Sequence, residues 1–289
     1  MHKHNHNLNR YDKAFALGLA LNISFIVIEV VFGFLANSTA LLADAGHNFS
    51  DVISLLIAWT ATGLARLKPT EQRTYGWRKV SVMGAFINAL ILLFAMGAIT
   101  LEAIRRFRSP VSVEGSTIIV VAAIGVAINT ATALLFLKGR KQDLNIRGAF
   151  LHMAADAGVS LGVVIAGILI IITGQLWLDP LASIVIIIVI LIGTWSLLRD
   201  SFNLAIDAVP KGIKAAHVKE YLSELPGIKG VHDLHIWAMS TTETALTAHL
   251  VKPSHQDDDS LINRIEKELH EIYGIDHVTI QWERKSQEQ

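Results

Sequence analysis

Six long apolar runs fill most of residues 1–208 and constrain this chain more than any other feature. A hydrocarbon layer about 30 Å thick takes roughly 20 residues of helix to cross. The runs, at about 15–35, 39–64, 80–104, 113–137, 148–173 and 178–198, all approach that length. We read them as six membrane spans. Composition agrees: 52% hydrophobic residues, 17% charged residues and a mean hydropathy of +0.45 are too apolar for a soluble chain of 289 residues. Residues 209–289 differ, holding 22 of the 50 charges and no such run. The chain thus divides into a histidine-containing arm (1–13), a six-helix membrane domain (14–207) and a C-terminal domain (208–289).

Lys3, Arg10 and Lys13 precede the first run, which lacks a small-residue cleavage site, so a removed signal peptide is not expected. Orientation follows from the short loops. Arg66, Lys68, Arg73, Arg78 and Lys79 lie between spans two and three, and Lys138, Arg140, Lys141 and Arg147 between spans four and five. Both termini are therefore expected in the cytoplasm. Arg105, Arg106 and Arg108, after span three, run against that pattern. Beyond Pro210 the period changes to a helix near 213–224, strands near 228–239 and 244–252, a helix near 258–273 and a strand at 277–283. This αββαβ order packs two helices on one face of a small sheet and leaves the other face for a partner.

With no cysteine in the chain, thiolate metal sites and disulfides are excluded. Of twelve histidines only His47 and His152 fall inside spans, and each has an aspartate four residues on, Asp51 and Asp156. That spacing puts each pair on one helical face. Two such helices facing each other supply two imidazoles and two carboxylates, a donor set that suits tetrahedral zinc, with cadmium, cobalt and iron left open. The plainer alternative is an intrahelical hydrogen bond or a wet cavity without metal. Against it, an ionisable side chain at bilayer depth costs about 2.5–3.5 kcal/mol on insertion scales, so four in two matched spacings imply a use. Zinc needs neutral imidazole and ionised carboxylate, so metal and proton compete for the site and exchange across it.

Asp44 shares the face of His47 and Asp51 and is either an exit or proton-relay group or a carboxylate hydrogen-bonded to a neighbouring helix; for Glu29 the second reading is the better one. Gly158 and Gly162 form a small-xxx-small spacing that lets helices approach, so packing suffices to explain them.

The segments STALLADAGHNFSD (38–51), HMAAD (152–156), VHDLHIW (231–237) and VTIQWE (278–283) resemble the cation diffusion facilitator family over nearly the whole chain, most of all its bacterial zinc exporters. The resemblance implies a multi-pass inner-membrane homodimer of six-span subunits that exports zinc in exchange for protons by alternating access, with a metallochaperone-like cytoplasmic domain. It places His47, Asp51, His152 and Asp156 in the transport site, with histidine at position 47 favouring zinc over cadmium. It matches Lys79 and Asp207 to a charge interlock that holds two protomers. It matches His232, His249, His277 and Glu283 to cytoplasmic, regulatory zinc positions. Some relatives carry a further metal site in the loop between spans two and three, but Thr70, Arg73 and Trp77 stand there, and no metal is expected.

His232 and His235, three apart on one strand, are expected on opposite faces, which makes His235 the less favoured ligand. His217, His255 and His270 read as surface histidines. His2, His4 and His6 either capture zinc loosely or belong to an arm without fixed geometry. Two other functions compete with transport. A metal-dependent membrane enzyme with Asp44 as base lacks an HExxH-like pattern. A membrane metal sensor would bind zinc without flux. Nucleic-acid binding has no support, because the C-terminal part is net acidic.

Overall fold

The computed structural model describes residues 5–65, 67–137, 144–253 and 259–284. Arg66, Lys138, Arg140, Lys141, His2, His4 and His255 lie outside the described residues. Six long helices come first: α1 (Asn5–Leu35), α2 (Thr39–Ala65), α3 (Val80–Arg108), α4 (Gly115–Phe136), α5 (Leu144–Thr173) and α6 (Leu178–Ala205). Then follow α7 (Ala215–Ser223), β1 (Gly230–Ala238), β2 (Thr244–Val251), α8 (Asp259–Tyr273) and β3 (His277–Glu283). Every expected element is present. The main difference in extent is α1, which begins ten residues before the apolar run and takes in His6.

Among the described residues, four helical stretches are long and apolar enough to cross a membrane: Val80–Arg108, Gly115–Leu135, Phe150–Thr173 and Leu178–Ala205. In α1 the apolar stretch is Leu19–Leu35, and α2 interrupts its apolar residues with Asp44, His47, Asn48 and Asp51. The contacts separate into two compact units, Met1–Leu55 with Asn88–Trp195, and Leu56–Ile87 with Ser196–Gln289.

In the first unit α4 runs against α5 and α1 packs on α4. Lipid tails are as apolar as leucine, so these contacts rest on close packing and polar bonds rather than on escape from water. Gly125 shows how close: a Cβ there would come 2.5 Å from Phe25 Cζ and 3.0 Å from Ser160 Oγ. The expectation for Gly158 and Gly162 is corrected, since a Cβ at either meets nothing within 4 Å. Tight α4–α5 contact falls instead to Gly115 and Gly167, where an added Cβ would meet the other helix's backbone at 3.2–3.3 Å.

The start of α2 is fastened by charge. Ser38 Oγ accepts from the Leu41 amide (3.1 Å) as an N-cap. The fully buried Asp179 carboxylate, in the first turn of α6, accepts from the Thr39 amide (2.8 Å) and hydroxyl (2.7 Å). One carboxylate thus serves two helix N-termini, where backbone amides lack partners and the helix dipole favours negative charge. Arg106 lies 3.9 Å from Asp179, 3.0 Å from Glu102 and against the Asn37 carbonyl. One member of the arginine cluster that runs against the loop-charge pattern is therefore committed to structure.

In the second unit, the three strands form a sheet of order β1-β2-β3, antiparallel between β1 and β2 and parallel between β2 and β3. One face packs Val231, Ile236, Leu246 and Leu250 against Val218 and Leu222 of α7 and Leu261, Ile265 and Leu269 of α8. The i, i+4 spacing on both helices supplies the apolar stripe. Each such side chain removed from water contributes roughly 1.5–3 kcal/mol. α8 ends in an αL turn: Gly274 takes φ +68 and its amide donates to His270 O at 3.1 Å, the Ile275 amide donates to Leu269 O at 3.1 Å, and the Leu269 and Ile275 side chains are buried. The chain then enters β3. The face of the sheet opposite the helices carries the histidines.

Candidate metal centres

Spacing alone puts His47 above Asp51 on α2 and His152 above Asp156 on α5, and the fold brings the two faces together. His47 Nε2 lies 3.6 Å from Asp51 Oδ2 and 3.4 Å from Asp156 Oδ1. His152 Nε2 lies 3.3 Å from Asp51 Oδ2 and 3.7 Å from Asp156 Oδ2. Each imidazole therefore addresses both carboxylates, one from each helix. Zinc bonds of about 2.0–2.2 Å at tetrahedral angles set neighbouring ligand atoms about 3.3–3.6 Å apart. Three of the four separations fall in that range and the fourth, 3.7 Å, lies just above it.

His47, Asp51 and Asp156 each offer an atom within 4.8 Å of the others and could hold a metal ion. His152, 42% exposed against 2% for Asp156, forms the open side. Asp51 Oδ2 and Asp156 Oδ2 are buried without a hydrogen-bond partner, so the acceptors facing the centre have no donor competing for them. Behind the centre, Glu29 and Asp44 are both fully buried. Glu29 accepts from Asn48 Nδ2 on α2 (3.0 Å), the interhelical bond expected for it, and Asp44 accepts from Ser160 Oγ on α5 (3.0 Å).

The second cluster lies on the open face of the sheet. Register pairs His232 with His249, and Val251 with Glu283, while Glu283 stands two residues beyond Gln281, the partner of His249. His232 Nε2 meets Glu283 Oε2 at 2.8 Å, His249 Nδ1 meets Glu283 Oε1 at 3.0 Å, and the two rings lie 5.2 Å apart. These three residues can hold a cation.

Two expectations are corrected here. His277 pairs with Ala245, six residues from Glu283 along β3, or about 20 Å at the rise of a strand. Within one chain it is not part of the cluster; its Nε2 accepts from the Arg78 guanidinium at 2.6 Å instead. His235 is not on the opposite face from His232. The register slips between them, with His235 opposite Thr247, and Asp233 takes φ +50. A bulge absorbs one residue, so both histidines face the same way while Val231 and Ile236 keep to the core.

The bulge also delivers Asp233, a residue sequence reasoning missed. Its carboxylate lies 2.8 Å from His235 Nε2 and 3.4 Å from His249 Nε2. The hydrogen bond to His235 is the chief reason its pKa falls below the ordinary carboxylate range. The one available signal was the aspartate itself, a residue type tolerant of positive φ inside an otherwise strand-forming run.

Of the other expected sites, Lys79 Nζ bonds Asp207 within one chain and donates to the Ala238 carbonyl at 3.0 Å. Thr70 and Arg73 close a turn, and the Arg73 guanidinium lies 4.1 Å over the Trp77 ring. His270 Nδ1 lies 3.5 Å from Asp276, on the surface.

Comparison with known proteins places the chain in a family. Residues 15–204 match the cation efflux transmembrane domain, and residues 210–285 match the cytoplasmic domain of cation efflux proteins, the dimerising module ZT_dimer. The "cadmium, cobalt and zinc/H(+)-K(+) antiporter" of Bacillus velezensis is 37% identical over 98% of this chain and 91% of its own. The "zinc transporter ZitB" of Escherichia coli is 37% identical over 98% of this chain and 92% of its own. Among solved structures, the metal-bound C-terminal domain of the CzcD transporter of Cupriavidus metallidurans covers 25% of this chain and 99% of its own, at 33% identity and a TM-score of 0.23. With both domains and nearly all of its length matched, the chain belongs to the cation efflux (cation diffusion facilitator) family and is a homodimeric membrane transporter of divalent metal, not an enzyme.

Proposed function

We propose that this protein exports zinc from the cytoplasm in exchange for protons by alternating access, with cadmium and cobalt as lesser substrates. The observation that carries this reading is the meeting of His47, Asp51, His152 and Asp156 at ligand separations of 3.3–3.7 Å. Zinc entering from the cytoplasm displaces protons from the imidazoles, and protons entering from the other side of the membrane displace zinc. α2 and α5 move together, since each donates one ligand pair. The relatives' names, a zinc transporter and a proton-coupled antiporter of cadmium, cobalt and zinc, support the substrate and the coupling. In this reading the protein sits in the bacterial inner membrane with both termini in the cytoplasm, and Lys79 and Asp207 keep the protomers together.

The C-terminal cluster is a regulatory zinc site. Zinc at His232, His249 and Glu283 draws the two C-terminal domains of the dimer together and adjusts transport; unchanged zinc-driven compaction in full-length His249→Ala would reject that role. The deciding test of transport is zinc flux in reconstituted vesicles with a trapped zinc-sensitive dye, with and without a pH gradient. The parent should show gradient-dependent flux and Asp156→Ala none. Proton-linked flux in that variant would sink the site assignment, and zinc binding without flux in the parent would turn the reading toward a sensor.

A further inference from the structure

Beside the transport centre lies a second buried acidic group that metal ligation does not use. Glu29 on α1 bonds Asn48 of α2, which stands one helical turn from Asp44 on the same face, so the two carboxyls share one region of the α1–α2 contact, and both are fully buried. Among the described residues their hydrogen-bond donors are neutral: Asn48 Nδ2 gives to Glu29 Oε2 at 3.0 Å, and Ser160 Oγ gives to Asp44 Oδ2 at 3.0 Å. The remaining oxygens, Glu29 Oε1 and Asp44 Oδ1, are buried with no hydrogen-bond partner, and so is Asn48 Oδ1.

Among the described residues no lysine or arginine pairs with either carboxyl. The other charged groups acting on them are His47 of α2 and Asp156 of α5. α4, which packs on α1, has no titratable residue between Gly115 and Phe136. Two neighbouring carboxylates in a low-dielectric interior, without a cation, repel each other, and a proton held by one of them removes that repulsion. Asp44 lies one helical turn from His47, about 4.5 Å along the axis of α2 and toward its Thr39 end.

We propose that Glu29 and Asp44 form a proton-holding pair that hands a proton to the transport centre when zinc leaves and is recharged from the far side of the membrane. The inference rests on the transport reading above and adds a named carrier for the exchanged proton. One O–H bond of the carboxyl pair breaks, one N–H bond forms on the imidazole that releases zinc, and a proton from water restores the pair. No redox partner is required. Glu29 binds no metal in this scheme, so its loss separates proton delivery from metal recognition.

The test uses the full-length protein in vesicles and compares two modes of Glu29→Gln: net zinc flux driven by a pH gradient, and exchange of internal for external zinc at equal pH, which moves no net proton. Equilibrium zinc affinity is measured alongside. The expected result is net flux slowed at least tenfold with a flattened pH profile, while exchange and affinity stay near the parent. Asp44→Asn, equally isosteric, should show the same split and guards against a folding failure in the first variant. Unchanged net flux in both variants overturns the proposal, as does an equal loss of both modes, which marks a packing role. Asp156→Ala loses both modes if the transport site is correct, so failure of the site and failure of the proton carrier give different patterns.

Discussion

The two candidate metal clusters both combine imidazoles with carboxylates and are assembled by different rules. On α2 and α5 the ligands sit four residues apart, and helical periodicity puts each pair on one face before any tertiary contact forms. On the sheet, His232, His249 and Glu283 come from three strands, and the part contributed by Asp233 and His235 depends on a bulge that changes the face of every later residue on β1. Helical sites are legible as spacings. Strand sites hinge on register, where one extra residue reverses the answer. The two also differ in what surrounds them: Asp156 is 2% exposed in the first cluster, whereas Asp233 and His235 of the second are 44% and 64% exposed.

The largest effect should come from breaking the helical cluster. Asp51→Ala removes the carboxylate that both imidazoles address, so zinc affinity should fall by more than the 10–100-fold typical of an outer-shell partner, and flux should vanish. Competition with a zinc chelator, read on the purified protein, checks this. Next is the fastening at the start of α2. Asp179→Ala leaves the buried Thr39 donors unsatisfied and Arg106 without one of its carboxylates, at a cost of about 3–5 kcal/mol. It should appear as a lower unfolding midpoint in detergent, and an unchanged midpoint would show that the cap is dispensable.

A smaller effect tests the bulge. Asp233→Asn tolerates positive φ, whereas Asp233→Val puts a β-branched residue at φ +50. The added strain of about 1–2 kcal/mol should weaken zinc binding at the sheet roughly tenfold relative to the asparagine variant. Zinc titrations of the full chain carrying Asp156→Ala, which silences the membrane site, isolate that difference. Equal affinities would mean that the bulge does not organise the cluster.

The smallest expected change is in titration. The hydrogen bond from His235 lowers the pKa of Asp233, so the bond is present above the ordinary carboxylate pKa of about 3.9 and is lost as pH falls through the lowered value. His235→Ala should return the Asp233 carboxyl toward 3.9, followed by carbon NMR of the labelled side chain. No movement would assign the lowering to another neighbour.

Most of the fold was legible. The boundaries of α2, α3, α4 and α6 follow their apolar runs at one end or both, because a membrane span is set by length and hydropathy rather than by distant contacts. The αββαβ order was legible from period changes. The misses share one cause. His277 and Glu283 both face away from the core on β3 and look equivalent in sequence, but register sets them about 20 Å apart. Gly158 and Gly162 have a packing spacing, yet the close contact belongs to Gly115, Gly125 and Gly167, because helix rotation decides which small residue meets a neighbour.

By itself the sequence determined six apolar helices, a soluble αββαβ tail and two imidazole–carboxylate pairs at helical spacing, all of them consequences of local period and composition. Only the tertiary structure decided that the two pairs meet at ligand distance, that Asn48 finds Glu29 across a helix interface, that Asp179 caps a helix 140 residues away, and that a bulge turns Asp233 and His235 toward His249. Local period says which face a residue occupies. Which faces come into contact is set by packing among segments far apart in the chain, and no single segment carries that information.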